Sequence, residues 1–373
     1  MAELLIPETS KRLVSLDVFR GITIASMILV NNTTGRTHPQ LRHVQWDGWH
    51  LTDLIFPLFL FIVGVAIVYS LAKQSEIGMS RKAIYTKILT RAGILIALGL
   101  LINLPGHDLS DIRIPGVLQR IAICYVIVAV LVLNTSMKWQ SYASIGILVF
   151  YWLVIVLVPV PGYGAGVLDH EGNLPGYIDS IVLKGHTWEK SGFDPQGILS
   201  TIPSISNVLF GALTGHWLMS KRVELEKVVG LFVLGNLALV ASFVLEIWIP
   251  FNKKLGTPSF TIFIAGMALL FLGMCYWFID VRGYKKWTTF FLVFGKNAIA
   301  VYFLSTILAN ILVTVRIAQQ DGTSLSLPRF LSHTLLAPWA GTIGANLLYA
   351  MLYVLLWFGL MYILYKKKNF IKV

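Results

Sequence analysis

Ten apolar runs, each about the length needed to cross a bilayer as a helix, recur along the chain near residues 17–32, 52–72, 84–104, 115–134, 141–159, 198–219, 228–248, 258–279, 288–312 and 343–365. Most of the polar stretches between them are short. The pattern predicts an all-α polytopic membrane protein of about ten transmembrane helices. Two connections break the rhythm. One, residues 31–57 between the first two runs, is dense in polar side chains. The other, about residues 159–197, is long and rich in Gly, Pro, Asp and Tyr. A loop of that length is usually either functional or disordered. Its aromatics Tyr163, Tyr177, Trp188 and Phe193 fit a folded lid over an outer site, and a solvated connection fits nearly as well.

Composition agrees with the pattern. Of the 373 residues 56% are hydrophobic and 13% charged, against about a quarter charged in ordinary soluble domains. The net charge of +12 collects in Lys11 and Arg12, Lys73 to Lys87, Lys138, Lys221 to Lys227, Arg282 to Lys286 and Lys366 to Lys368. All of these lie on one side of the alternating spans, which the positive-inside rule assigns to the cytoplasm. Both termini are then cytoplasmic, and residues 31–57 face outward. No basic-aromatic pattern points to nucleic acid. Nothing before Asn31 resembles a signal-peptide cleavage site. Without an internal repeat or a separate soluble segment, the chain reads as a single domain over 1–373. Cys124 and Cys275, its only cysteines, fall inside apolar runs and read as buried thiols.

Chemistry concentrates in NNTTGRTHPQLRHVQWDGWHLTDLIFP, residues 31–57. It holds three of the eight histidines (His38, His43, His50) with two Asp and two Trp. A connection pinned between membrane spans has little structural need for so many titratable groups, so it is the candidate reaction centre. A metal site fits poorly, because the histidine spacings of five and seven do not match a helical pair. At membrane depth ionisable groups default to function. Arg20, Arg91, Arg120 and Lys296, with Gln119 and Asn297, are candidates for a cationic path suited to a polyanionic ligand. Two have a plain alternative: Arg20 can pair with Asp17 one turn earlier, and Arg91 can snorkel to the inner surface; Arg120 and Gln119, about a third of the way across, cannot easily do so. Arg113, at the start of the fourth run, reads as interfacial.

Six ordered segments resemble the heparan-α-glucosaminide N-acetyltransferase family: SLDVFRGI, HVQWDGWHLTDLIFPLFLFIVG, RIPGVLQRIAICY, DPQGILSTIPSISNVLFGALTGHWL, NKKLGTPSFTIFIAGMALL and FGKNAIAVY. They spread from residue 15 to about 305. The resemblance implies a membrane enzyme that takes acetyl from cytoplasmic acetyl-CoA and gives it to the amino group of a glucosamine-type sugar across the membrane. It also implies a homodimer. The chain looks shorter than lysosomal members at its N-terminus, so the expectation is a bacterial relative in the inner membrane, its site near the periplasmic face. Carried over by motif, the family's catalytic histidine falls on His43 and its partner asparagine on Asn31, with Asp53 and Pro57 also matching. Trp46 and Asp47, in the His-x-x-Trp-Asp-Gly context, become candidates for acceptor binding. The segment TTGRTHPQLR departs from the family's glycine-rich connection, which bears on the acceptor pocket.

A histidine suits this chemistry, because an amine must lose a proton as it attacks and a thiolate must leave. His43 then serves as base or as acetyl carrier. Asn31 donates to an oxyanion or fixes the imidazole, or is only a helix C-cap. Asp53 orients the ring, or is only an N-terminal helix charge. The pantetheine arm of CoA would thread past Gln119 and Arg120, its phosphates staying among Arg20, Arg91 and Lys296. A secondary transporter of a small anionic or sugar solute is the alternative. Such proteins usually carry midplane sites and inverted repeats.

Overall fold

The computed structural model describes residues 13–105, 110–319 and 323–369. Lys11, Arg12 and both chain ends, on which the cytoplasmic assignment of the termini partly rests, lie outside the described residues. Helices dominate. In chain order they are α1 (Val14–Asn31), α2 (Leu51–Glu76), α3 (Arg81–Asn103), α4 (Val117–Asn134), α5 (Met137–Leu157), α6 (Leu174–Val182), α7 (Thr201–Met219), α8 (Glu224–Glu246) and α9 (Pro258–Tyr276). After these come α10 (Thr289–Lys296), α11 (Ala298–Thr314), α12 (Leu327–Phe330) and α13 (Ala337–Lys366). A two-stranded antiparallel hairpin, β1 (Arg316–Ala318) with β2 (Ser324–Ser326), is the one sheet among the described residues.

Every predicted apolar run coincides with a helix or helix pair. Among the described residues eight helices are long and apolar enough to cross a membrane, and nine if α10 and α11 count as one span. The protein is therefore an all-α polytopic membrane protein. Two of the ten runs need comment. Residues 288–312 form not one helix but α10 and α11, bent 83° to each other at Asn297, where the backbone leaves helical geometry (φ −120°, ψ 30°). The sixth run, α7, is not among the eight. It carries four Ser and Thr side chains with Asn207 and His216 and lies at the centre, against α2, α4, α5 and α9, where helices rather than lipid surround it.

Lipid offers no hydrophobic advantage for helix association, so packing relies on close approach and small residues. Gly64 of α2 faces the Val208 carbonyl of α7, and Gly211 of α7 faces the Phe61 carbonyl of α2, so a Cβ at either position would collide with backbone. Two apolar cores flank this pair. One joins α1 and α2 to α3, α4, α7, α10, α11 and α13 around Ile28, Leu60, Val128, Val208 and Trp357. The other joins α1 and α2 to α8 and α9 around Phe19, Phe61, Leu231 and Phe263. Both cysteines are buried and unpaired, as their apolar neighbourhoods predict.

Candidate active site

The polar connection of residues 31–57 is organised by the carboxylate that ends it. Asp53 is the third residue of α2, where a carboxylate can accept the helix's unpaired N–H groups. Its Oδ2 accepts from the backbone N–H of His50 at 3.0 Å and of Val44 at 3.1 Å. Its Oδ1 lies 2.7 Å from His43 Nδ1 and 3.1 Å from Lys253 Nζ. The Asp53 side chain is 1% exposed while that of His43 is 55% exposed. A carboxylate gathering four donors is an acceptor only, so Nδ1 carries its proton towards Asp53. His43 Nε2 is left with the lone pair.

His43 and Asp53 open onto an internal cavity of about 710 Å³. Asn31, Gln119, Arg120, Asn207 and Lys253 line the same cavity. From Asp53 to Leu60 it follows α2 for about 10 Å, at 1.5 Å per residue. Gln119 Oε1, Arg120 Nε and Asn207 Oδ1 are buried without a hydrogen-bond partner. Buried polar atoms are rarely left so, and these three offer one donor and two acceptors to a polar chain lying in the cavity. The rest of each side chain is fixed. Gln119 Nε2 donates to Ile114 O at 3.0 Å, Arg120 Nη2 to Ser200 Oγ at 2.5 Å, and Asn207 Nδ2 to Pro57 O at 2.7 Å.

The two adjacent asparagines differ in their commitments. Asn32 gives its side-chain N–H to Ile28 O at 2.8 Å and so closes the end of α1, whereas Asn31 is exposed on the cavity wall. Trp46 and Asp47 do not line the cavity. Trp46 donates from Nε1 to Leu168 O at 2.9 Å and packs edge-on to His170 and Phe193, while Asp47 accepts from Asn252 at 3.0 Å. Both tie the connection to neighbouring loops.

The four intramembrane cations do not share one space. Arg120 and Gln119 stand in the central cavity with His43. Arg91 stacks over Tyr125 at 4.9 Å and lines a second cavity of about 700 Å³ with Lys82 and Lys87. Arg20 and Lys296 line neither. Arg20 pairs with Asp17 at 3.1 Å and reaches Gly295 O, and Lys296 lies over the Tyr365 ring. Asn297, next to it, is buried at the α10–α11 break.

Residues 159–197 are folded over this region. They contain α6, and their Trp188, Glu189, Pro195 and Gln196 line the central cavity. Their anchor is Asp194, 0% exposed, which takes a two-pronged bond from Arg113: Nε to Oδ2 at 2.8 Å and Nη2 to Oδ1 at 2.6 Å. Arg113 also donates to Gln196 Oε1 and stacks on Trp188. Arg113, read as interfacial, is half-buried and committed to this planar carboxylate, whose geometry a guanidinium matches. Near the mouth, Glu189 pairs with His170 at 2.9 Å and lies 3.7 Å from Lys254. Sequence reasoning missed Lys253, although it lies in NKKLGTPSF. A lysine outside the spans looks like a surface charge until α8 and α9 bring it to His43.

Fold and site together define an integral membrane protein with a histidine–carboxylate pair facing an internal cavity. Residues 12–252 match the family model described as heparan-alpha-glucosaminide N-acetyltransferase, catalytic. The chain belongs to that family. A Mus musculus protein named heparan-alpha-glucosaminide N-acetyltransferase is 28% identical over 428 aligned positions, covering 98% of this chain and 62% of its own length. A Homo sapiens protein of the same name is 30% identical over 347, covering 78% of this chain and 52% of its own. The chain thus spans roughly half to three-fifths of the length of these relatives.

Proposed function

We propose that this protein moves an acetyl group from cytoplasmic acetyl-CoA to the amino group of a glucosamine-type sugar on the opposite, outer side of the membrane. The observation that carries the reading is His43, held at Nδ1 by buried Asp53 while its ring opens onto a cavity large enough for a thioester arm and an acceptor. In one course, Nε2 takes the proton of the attacking amine as the thioester C–S bond breaks, and that proton then goes to the leaving thiolate. In the other, Nε2 itself attacks the carbonyl and thiolate leaves; the amine then takes the acetyl group as the C–Nε2 bond breaks, and its proton passes to the freed Nε2 and on to solvent. Both need the lone pair on Nε2. Asn31 on the cavity wall is suited to donate its amide N–H to the developing oxyanion. Gln119 and Arg120 offer their unpaired atoms to the amide-rich arm of CoA, and the basic cavity around Arg91 suits its phosphates. Residues 159–197 act as the lid. Placement in a bacterial inner membrane, as a homodimer, completes the reading.

CoA release by the purified protein, measured with and without glucosamine, tests it. Sugar-dependent release that falls at least about 100-fold in His43→Ala is expected. A stoichiometric burst before sugar is added identifies the acetyl-enzyme course. Release that survives His43→Ala overturns the assignment.

A further inference from the structure

The connection between α8 and α9 is built to hold one lysine against the histidine. Phe251 O accepts from Gly48 N at 2.7 Å, and Asn252 donates to Asp47 while its Oδ1 accepts from Leu255 N at 2.8 Å. Between these anchors Lys253 is largely buried, with Nζ 3.1 Å from both His43 Nδ1 and Asp53 Oδ1. Burial lowers the affinity of its amine for the proton, and the Asp53 charge offsets this.

Three groups meeting at one point constrain each other. An ammonium cannot accept a hydrogen bond and a carboxylate cannot donate one. His43 Nδ1 could accept from the ammonium or donate to the carboxylate, and its shorter contact, 2.7 Å to Asp53 Oδ1, places the proton on Nδ1 with Lys253 donating to Asp53. Charge matters as much. A carboxylate beside an imidazole favours imidazolium, and a cation beside it opposes that form. Imidazolium has no lone pair with which to act. Among the described residues Asp53 is the one carboxylate within ion-pair distance of His43, and Lys253 shares it. The other charged groups on the same cavity are Arg113 and Arg120 from the start of α4 and its approach, Lys254 beside Lys253, and Glu189 from the outer segment. His50, in the histidine's own connection, is bound to Arg42 O at 2.9 Å.

We propose that Lys253 is a positioning residue that shares Asp53 with His43 and so keeps the imidazole neutral, its Nε2 lone pair towards the cavity. The inference rests on His43 being the reacting group of the proposed function, and its test is separable from that reading. Diethyl pyrocarbonate modifies unprotonated imidazole. The rate at which it labels His43 as pH is raised, followed by peptide mass spectrometry on the full chain in detergent, gives a midpoint without any substrate. In Lys253→Met the midpoint is expected to move up by about one to three pH units. In Lys253→Arg, which keeps the charge, it returns to within a few tenths of the wild type. The acid limb of kcat/KM for acetyl transfer moves in parallel. Lys253→Gln, a polar replacement, serves if the methionine variant fails to fold, with the same upward shift expected. A midpoint that stays in place in a folded Lys253→Met or Lys253→Gln protein overturns the role. So does an unmoved midpoint joined to a raised KM for acetyl-CoA, which would make Lys253 a substrate contact. A wild type that labels as expected yet transfers no acetyl group refutes the functional reading and leaves the role of Lys253 standing.

Discussion

At the scale of residues, the site depends on one carboxylate with two duties. Asp53 Oδ2 accepts from the backbone N–H groups of His50 at the helix cap and of Val44 in the connection, and its Oδ1 fixes the tautomer of His43. Asn at this position can turn its own N–H towards Nδ1, which moves the ring proton to Nε2 and removes the lone pair from the cavity. Asp53→Asn is therefore expected to lower kcat about 10²- to 10⁴-fold with a smaller change in KM, measured by steady-state CoA release. Activity within a few-fold of wild type would refute the orienting role. A second carboxylate lies in α6. Asp179 Oδ1 accepts from Ile198 N at 2.9 Å, its Oδ2 is buried without a partner, and Gly197 leaves the room it occupies. Burial pushes its pKa up from 3.8 to about 6, opposed by the Ile198 hydrogen bond and reinforced by the charge of Asp194. Between about pH 4 and pH 6 the folded state then holds a proton that the unfolded chain has released, so stability falls as pH rises through that window. Thermal unfolding against pH should show this slope, and Asp179→Asn should flatten it. An unchanged slope in the variant would remove Asp179 as its source.

Among the elements, the apolar runs were sufficient to place nine helices and one broken pair, because a membrane span needs an uninterrupted run and little else produces one. They could not foresee the 83° break between α10 and α11. Gly295, Lys296 and Asn297 mark the place, yet the run resumes as apolar at once, and an isolated Gly is tolerated within a helix. Polar groups conspicuous against apolar spans drew attention to residues 31–57, Gln119 and Arg120, and the family resemblance singled out His43 and Asn31; the fold brings these four to one cavity. Lys253 and Asp194 were not legible, since both lie in connections already rich in charge, and only tertiary packing distinguishes a buried ion pair from a solvated one. The Arg113–Asp194 pair fixes the segment 159–197 to the approach of α4. Removing one partner strands the other as a buried charge, so Asp194→Ala should cost about 3–5 kcal/mol and expose the segment to protease, read by thermal unfolding and limited proteolysis. A loss under about 1 kcal/mol would show that the segment is held by its other contacts.

For the whole molecule, the arrangement of two cavities along α3 and α4 matters most. Gly99 and Arg120 belong to the central cavity, Ile94 and Tyr125 to the basic one. These boundaries lie five residues apart on each helix, about 7–8 Å, a gap that an extended thioester arm can bridge. Under the proposed function, donor phosphates and acceptor sugar would occupy separate compartments. The direct test is transfer across a sealed bilayer. Protein reconstituted in vesicles, oriented with its basic loops outward, would receive labelled acetyl-CoA outside, with glucosamine only inside. Labelled N-acetylglucosamine inside, free CoA retained outside, and loss of both in His43→Ala are the predicted result. Product that forms only when donor and acceptor are on the same side would contradict transmembrane transfer.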